Sequence, residues 1–406
     1  THGNFMSNVR QCLEVYEIDP ADTYLSFLPL SHVFERMAGL YTMMTAGASI
    51  AYAESFETVA ANLREISPTL ACSVPRVYEK MYARVLDSVS KTPAPRRALF
   101  WWAIGVGRAH LRASLAGRVS PWLSFRYRVA NALVFKKLQA IVGGRIRFFF
   151  SGSAPLAREI AEFFNAVGIR IMEGYGLTET SPVVTLNTFE NFRLGTVGKP
   201  LPGVEVKIAE DGEILVRGDN VMQGYFKRPQ ETAEALAGGW FHTGDIGEFD
   251  SDGFLMITDR KKDLIATAGG KKMAPQPVEA RIKQNPFVAE AVLVGDRRPF
   301  VAALLVPNFE RLAAWARDAG LPPDDHAQLV AAPAVRELYQ KIIDGANTDL
   351  AQYERIKSFA LLSKELTIDD GHLTPTLKVR RRVVEKTYRD EIERMYQAGA
   401  AAHAVS

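Results

Sequence analysis

An α/β fold is predicted here, with a large N-terminal domain of mostly parallel sheet, a small β subdomain and an α+β C-terminal domain. Three observations predict it. Strand-like and helix-like runs alternate through residues 1–180. Two Asp-Gly turns, Asp211-Gly212 and Asp252-Gly253, then punctuate a strand-rich stretch. Beyond the polar run Asp259-Arg260-Lys261-Lys262-Asp263, strands return together with long helices. A chain of 406 residues exceeds one ordinary core, so more than one domain is expected.

The runs at 24–28, 49–53 and 145–150 read as buried strands, and those at 58–65, 76–90 and 156–166 as helices. Alternation of this kind implies α/β layers around a largely parallel sheet. The segments 204–209 and 213–217 flank the first Asp-Gly pair, and 246–249 and 254–258 flank the second. Asp-Gly supplies the positive φ of a tight hairpin turn. The last part reads as strands at 289–294 and 301–306 and helices at 309–319, 335–350 and 379–396. The expected domains are 1–189, with a basic helical insertion at 88–145, then 190–260, then 261–406.

Two cysteines, Cys12 and Cys72, make neither a disulfide framework nor a zinc spacing, and the expected setting is cytoplasmic. The longest apolar run, 98–107, is far short of a membrane span. The net charge of +3 is unevenly spread. Residues 88–158 hold 13 Lys and Arg and no acid, so the rest of the chain is at −10 (+3 minus +13). Phe100, Trp101, Trp102, Trp122, Phe125 and Tyr127 are interleaved with these charges. Aromatics beside basic groups suit the inner face of an anionic membrane. The equal alternative is a solvated basic face with a core-facing aromatic stripe. No nucleic-acid module is recognisable, so nucleic acid is not an expected partner.

Four stretches carry chemistry. Gly174-Tyr175-Gly176-Leu177-Thr178-Glu179-Thr180 follows a strand-like run and is expected to be a loop at a strand's carboxyl end, where open α/β sheets bind ligands. Its glycines permit close approach of a ligand, Tyr175 offers a flat face, Thr178 a hydroxyl for phosphate, and Glu179 a hard oxygen for Mg²⁺. In Trp240-Phe241-His242-Thr243-Gly244-Asp245, Asp245 can accept from both hydroxyls of a ribose. Arg260 offers a second ribose or phosphate contact. Lys378 lies between a proline turn, Leu373-Thr374-Pro375-Thr376-Leu377, and a helix.

In sequence order, SGSAPL at 151–156, GYGLTET at 174–180, WFHTGD at 240–245, DRKKD at 259–263 followed by GGKKMAPQPVE, and LTPTLK at 373–378 resemble the core motifs of the acyl-adenylate-forming (AMP-binding) enzymes. Within that superfamily, LPLSHVFER at 28–36, VPRVYEK at 74–80 and the helical insertion resemble bacterial long-chain fatty acid–CoA ligases. Amino-acid-activating relatives carry an aspartate after the first of these runs, and none is evident. Acyl-AMP ligases carry an insertion after the hinge, where the 263–271 segment is short.

The resemblance implies ATP, Mg²⁺ and coenzyme A as cofactors and a fatty acid as substrate. It implies that Ser153, Ala154 and Tyr175 frame the adenine, with Gly174 and Gly176 also at the ATP/AMP site. Thr178 and Glu179 would hold phosphate and metal, and Asp245 and Arg260 the ribose. Lys378 would reach the acyl carboxylate and α-phosphate. Lys262 would be the hinge of a mobile C-terminal domain. Gly269 and Gly270 would line the pantetheine channel, and His32 would sit where the acyl and CoA tunnels meet. A hydrogen-bonded core histidine is an equal reading of His32.

In the family, a phrase like Thr1-His2-Gly3-Asn4 follows a Ser/Thr/Gly-rich phosphate loop and its lysine, and no substitute occurs here. The expectation is an N-terminally truncated chain that adenylates weakly or not at all. The competing readings are an aryl- or medium-chain-acid CoA ligase, and a catalytically impaired fragment that binds lipid or membrane surfaces.

Overall fold

A computed structural model describes residues 1–261, 263–267, 271–322, 324–374 and 378–403. The chain divides into two compact units, Thr1–Ile257 and Thr258–Ser406.

In the first unit, β1 (Thr23–Ser26), β2 (Ser49–Tyr52), β3 (Leu70–Ser73), β4 (Phe148–Ser151), β5 (Ile171–Gly176), β6 (Val183–Leu186) and β7 (Lys199–Pro200) form one sheet, ordered β2-β1-β3-β4-β5-β6-β7. β2 through β5 pair in parallel, and β6 and β7 add on antiparallel. Both faces are covered at the centre of the sheet, so β3, β4 and β6 are buried at every position rather than at alternate ones, whereas the edge strand β2 is partly exposed. Phe148 and Phe150 face a core shared with the helix His2–Val15, and Phe149 faces a second core under the helix Arg158–Ala166. The carboxyl ends of β4 and β5 carry the SGSAPL and GYGLTET runs.

A second sheet is ordered β11-β10-β9-β8, from β8 (Glu205–Ile208), β9 (Glu213–Arg217), β10 (Phe241–Phe249) and β11 (Leu255–Arg260), and β11 runs across the boundary between the units. Both Asp-Gly turns form, with Gly212 at φ 86° and Gly253 at φ 79°.

The second unit also contains the short pair β12 (Ile265–Ala266) and β13 (Lys272–Met273). Its main sheet is β14 (Val288–Val294), β15 (Val301–Pro307) and β16 (Ile356–Leu361). Successive residues of β14 and β15 enter opposite cores: Ala291 and Leu293 face one, Val292 and Val294 the other. That period of two makes a short sheet the middle layer of a sandwich with helices on both sides.

Two expectations change. Gly174, Tyr175 and Gly176 are not loop but the end of β5, because β6 pairs back antiparallel and captures their backbone groups. The single helix expected at 379–396 is two, Arg381–Thr387 and Arg389–His403, with Tyr388 out of helical geometry between them. Periodicity misses the kink because Val384, Ile392 and Tyr396 all enter one core.

The basic insertion begins at the end of the helix Pro75–Ser90 and folds as the helices Ala94–Leu115 and Pro121–Ala130, followed by the short helical segments Asn131–Phe135, Lys136–Gln139 and Ala140–Val142. Phe100 is buried and Tyr127 packs against the second core, but Trp101, Trp102, Trp122 and Phe125 are exposed. The stripe reading therefore accounts for two of the six aromatics. Among the described residues, no helix is long and apolar enough to cross a membrane.

Candidate functional site

At the end of β4 the chain turns through Gly152 and Ser153. Ser153 holds φ at 71°, a left-handed conformation unusual for a residue with a Cβ and frequent at ligand sites. Gly152 packs close to Phe34, whose ring an added Cβ would meet at 3.3 Å. Ala154 is exposed. The Leu156 amide donates to the carboxylate of Glu173, which is buried one residue before Gly174. Burial pushes the Glu173 carboxyl up to about 8, against the lowering effect of that amide.

β5 ends in a tight crossing. A Cβ on Gly176 would lie 1.9 Å from the Pro182 carbonyl oxygen, so only glycine lets the 178–182 turn fold back on the strand. The turn presents Thr178, exposed, and Glu179, half-buried. Tyr225 donates its hydroxyl to Glu179 Oε1 at 2.9 Å, and the Met222 amide donates to the Glu179 carbonyl at 2.7 Å. Burial and the Glu179 carboxylate together raise the Tyr225 hydroxyl to about 12, so it stays a donor. Three buried asparagines tie this turn to the segments beside it. Asn220 Nδ2 donates to the carbonyls of Thr180 and Val183, Asn8 pairs with both backbone groups of Val183, and Asn4 Nδ2 donates to the carbonyls of Asp219 and Val221.

The WFHTGD motif reaches the same place from β10. The register with β9 shifts between His242 and Ile246, and the bulge re-aims Asp245. Glu213 on β9 builds that bulge: its Oε1 accepts from the Gly244 amide at 2.9 Å, and its Oε2 lies 3.1 Å from His242 Nδ1. Thr243 Oγ1 donates to the Ile214 carbonyl at 2.7 Å and accepts from the Asp245 amide at 3.1 Å. Tyr175 then donates its hydroxyl to Asp245 Oδ2 at 2.7 Å, and Asp245 is buried. Two motifs 70 residues apart thus meet through a charge-assisted hydrogen bond.

His32 is half-buried, and its Nδ1 accepts from the Phe34 amide at 3.2 Å. It precedes a π-helical segment, Glu35–Tyr41, a rare geometry that recurs at functional sites. Glu35 is buried within it and accepts from the hydroxyls of Tyr24, at 2.9 Å, and Ser26, at 2.6 Å. In the second unit Arg260 is exposed at the end of β11. Lys378 is half-buried; its amide donates to Thr374 Oγ1 at 3.0 Å and its carbonyl accepts from the Thr374 amide at 2.8 Å. Lys262, Gly269 and Gly270 lie outside the described residues.

The first unit therefore brings together Gly174, Tyr175, Gly176, Thr178, Glu179 and Asp245 at the sheet's carboxyl end. Sequence reasoning passed over Tyr225, Glu213 and the three asparagines. Among the described residues there is no group of three or more His, Cys, Asp or Glu disposed to hold a metal. Glu179 would offer one hard carboxylate oxygen to a divalent cation, its Oε1 already accepting from Tyr225.

A family model described as AMP-binding enzyme matches residues 1–226, and one described as AMP-binding enzyme C-terminal domain matches 262–400. A long-chain-fatty-acid–CoA ligase of Mycobacterium bovis is 39% identical over 381 residues, 92% of this chain and 62% of that protein. A putative fatty-acid–CoA ligase of Mycobacterium tuberculosis is 39% identical over 401 residues, 98% of this chain and 70% of that protein. The chain thus spans about 62% of the length of the first of these relatives. The adenylation domain of a carboxylate reductase from Mycobacterium chelonae superposes with a TM-score of 0.72 at 22% identity, covering 97% of this chain and 57% of that one, a likeness of fold. With more than half its residues under the first model, the chain belongs to the family of AMP-binding enzymes.

Proposed function

We propose that this chain is the greater part of an ATP-dependent ligase that joins a long-chain fatty acid to coenzyme A through an acyl-adenylate. The observation that carries the reading is the Tyr175–Asp245 hydrogen bond of 2.7 Å beside the Glu179 turn, since it unites a flat ring, a buried carboxylate and a hydroxyl-bearing turn at a sheet's carboxyl end. Its substrate class is supported by two relatives at 39% identity whose names are those of fatty-acid–CoA ligases.

Each residue has a task that its chemistry suits. The Tyr175 ring and the Ser153–Ala154 turn would sandwich the adenine, and Asp245 and Arg260 would bind the ribose hydroxyls. Thr178 would donate to phosphate. Mg²⁺, held in part by Glu179, would offset phosphate charge. Attack of a carboxylate on the α-phosphate brings two anions together, and Lys378 is the cation proposed to meet them and stabilise the in-line transition state. In the second step the coenzyme A thiol attacks the acyl carbon and AMP leaves. Lys378 is then not needed and the pantetheine arm wants its space, which a rotation at Lys262 would provide. Gly269 and Gly270 would line that arm's channel, with His32 at the junction with the acyl tunnel. A fatty chain in an apolar tunnel gains about 0.8 kcal/mol per buried methylene.

Two assays test this. The gene product extended to the relatives' full length is given ATP, Mg²⁺, coenzyme A and a mixed pool of short, long and aromatic acids, and the thioesters are read by mass spectrometry. This chain is given a long-chain acyl-AMP and coenzyme A, which isolates the second step. Long-chain acyl-CoA as the main product is expected. An aryl-CoA, or acyl-AMP without thioester, overturns the substrate or the second step.

A further inference from the structure

We propose that the exposed side of the helices Ala94–Leu115 and Pro121–Ala130 is a docking surface for an anionic lipid bilayer. The surface is argued from charge and exposure alone and does not depend on the ligase reading.

The helix Ala94–Leu115 buries Phe100, Ala103, Ile104, Val106, Gly107 and Leu111, all but Val106 on one stripe at helical spacing that faces the body of the first unit. Trp101 and Trp102 fall on the other side of that helix, 47% and 36% exposed. On the next helix Trp122 is 66% exposed and Phe125 55%, their rings stacked on each other at 5.7 Å. The Arg126 guanidinium lies 5.9 Å from the Trp102 ring centroid and bridges the two helices. Four large aromatic side chains left in water on two helices that pack together are costly unless something covers them. The body of the unit does not, since it already takes the opposite face.

The charges identify the covering partner. Some basic groups of the insertion are engaged internally: Arg108 and Arg112 with Glu162, and Arg147 with Asp22. Arg96, Arg118, Arg128, Lys136, Lys137 and Arg145 have no carboxylate partner among the described residues. No acidic residue occurs anywhere in 88–158 to neutralise them. Arg96 and Arg97 stand in or beside the first turn of a 22-residue helix that has no acid there, against the sense of the helix dipole. An anionic surface at that end would offset the cost. Exposed indole and phenyl rings flanked by unpaired cations match the two layers of a membrane interface, acyl boundary and acidic headgroup. A phosphatidylglycerol-rich bilayer accounts for both the charges and the rings.

The experiment is co-sedimentation of the chain with vesicles of phosphatidylcholine, with and without phosphatidylglycerol. Three variants accompany it: Trp122→Ala with Phe125→Ala, Arg96→Ala with Arg97→Ala, and Glu179→Gln. All four surface positions are exposed, and a thermal melt confirms that the two pairs fold as the parent does. Binding is expected only with phosphatidylglycerol, and to weaken as salt rises. It should fall roughly fivefold per arginine removed and at least about tenfold for the aromatic pair. Glu179→Gln should bind as the parent does, which separates this surface from the nucleotide site. The proposal is overturned if anionic vesicles are not bound, or if binding ignores both surface pairs. It is equally overturned if the aromatic pair alters self-association, or duplex DNA is bound, without vesicle binding.

Discussion

At the scale of single residues, the site is set by hydroxyls that hold carboxylates. Tyr175 fixes Asp245 and Tyr225 fixes Glu179, each with one hydrogen bond to a charged acceptor. Such bonds contribute about 1.5–3 kcal/mol. Tyr175→Phe should therefore weaken AMP binding by roughly ten- to a hundredfold in titration calorimetry. Affinity within a factor of about two of the parent would remove Asp245 from the ribose role. Glu173 makes a pH prediction. Its carboxyl ordinarily titrates near 4.5 and is pushed by burial to about 8. Below about 4.5 it is protonated in both states, and between about 4.5 and about 8 only the unfolded chain releases the proton. Its contribution to stability is thus fully present in acid and is lost as pH rises through that window. The melting temperature of the first unit should fall across it, and Glu173→Gln should flatten the fall. Parallel curves for parent and variant would contradict the buried, proton-bearing carboxyl.

At the scale of elements, the crossing of β5 and the 178–182 turn admits no Cβ. Gly176→Ala places one 1.9 Å from the Pro182 carbonyl oxygen, and backbone rather than a flexible side chain would have to yield. Overpacking of this kind costs about 1–3 kcal/mol. Because the turn carries Thr178 and Glu179, the variant should lose nucleotide binding along with stability; a variant that melts lower yet binds AMP normally would uncouple the turn from the site. In the second unit, the helix Phe309–Asp318 starts at Asn308, whose side chain accepts from the Arg311 amide at 3.2 Å. Asn308→Ala should cost about 1 kcal/mol by denaturant unfolding of that unit, and leave AMP binding by the first unit unchanged.

At the scale of the whole molecule, two units carry separate cores. The second unit has its own three-stranded sheet with a buried cluster on each face. Residues 258–406 produced alone should fold, with a cooperative melt and dispersed amide resonances. A molten state with native helix content and no fixed packing would mean that this unit needs the rest of the chain.

The sequence by itself determined the α/β class, the two Asp-Gly hairpins, the order of the motifs and the family they belong to. The class and the hairpins are local signals, periodicity of two or of 3.6 and turn residues whose φ is legible from a dipeptide, while the family came from the resemblance of the motifs. Only tertiary structure decided which motif residues meet, because the pairs that build the site are separated by 70 residues for Tyr175 and Asp245, 46 for Tyr225 and Glu179, and 31 for Glu213 and Gly244. The same cause moved Gly174, Tyr175 and Gly176 from loop to strand, since their hydrogen-bond partners come from β6 rather than from their neighbours. It also divided the aromatics of the basic insertion between core and solvent, a choice made by which face of a helix the sheet covers. Local pattern reads what a segment prefers; which side chains meet is set by long-range pairing, and the chemistry of this site lies in those meetings.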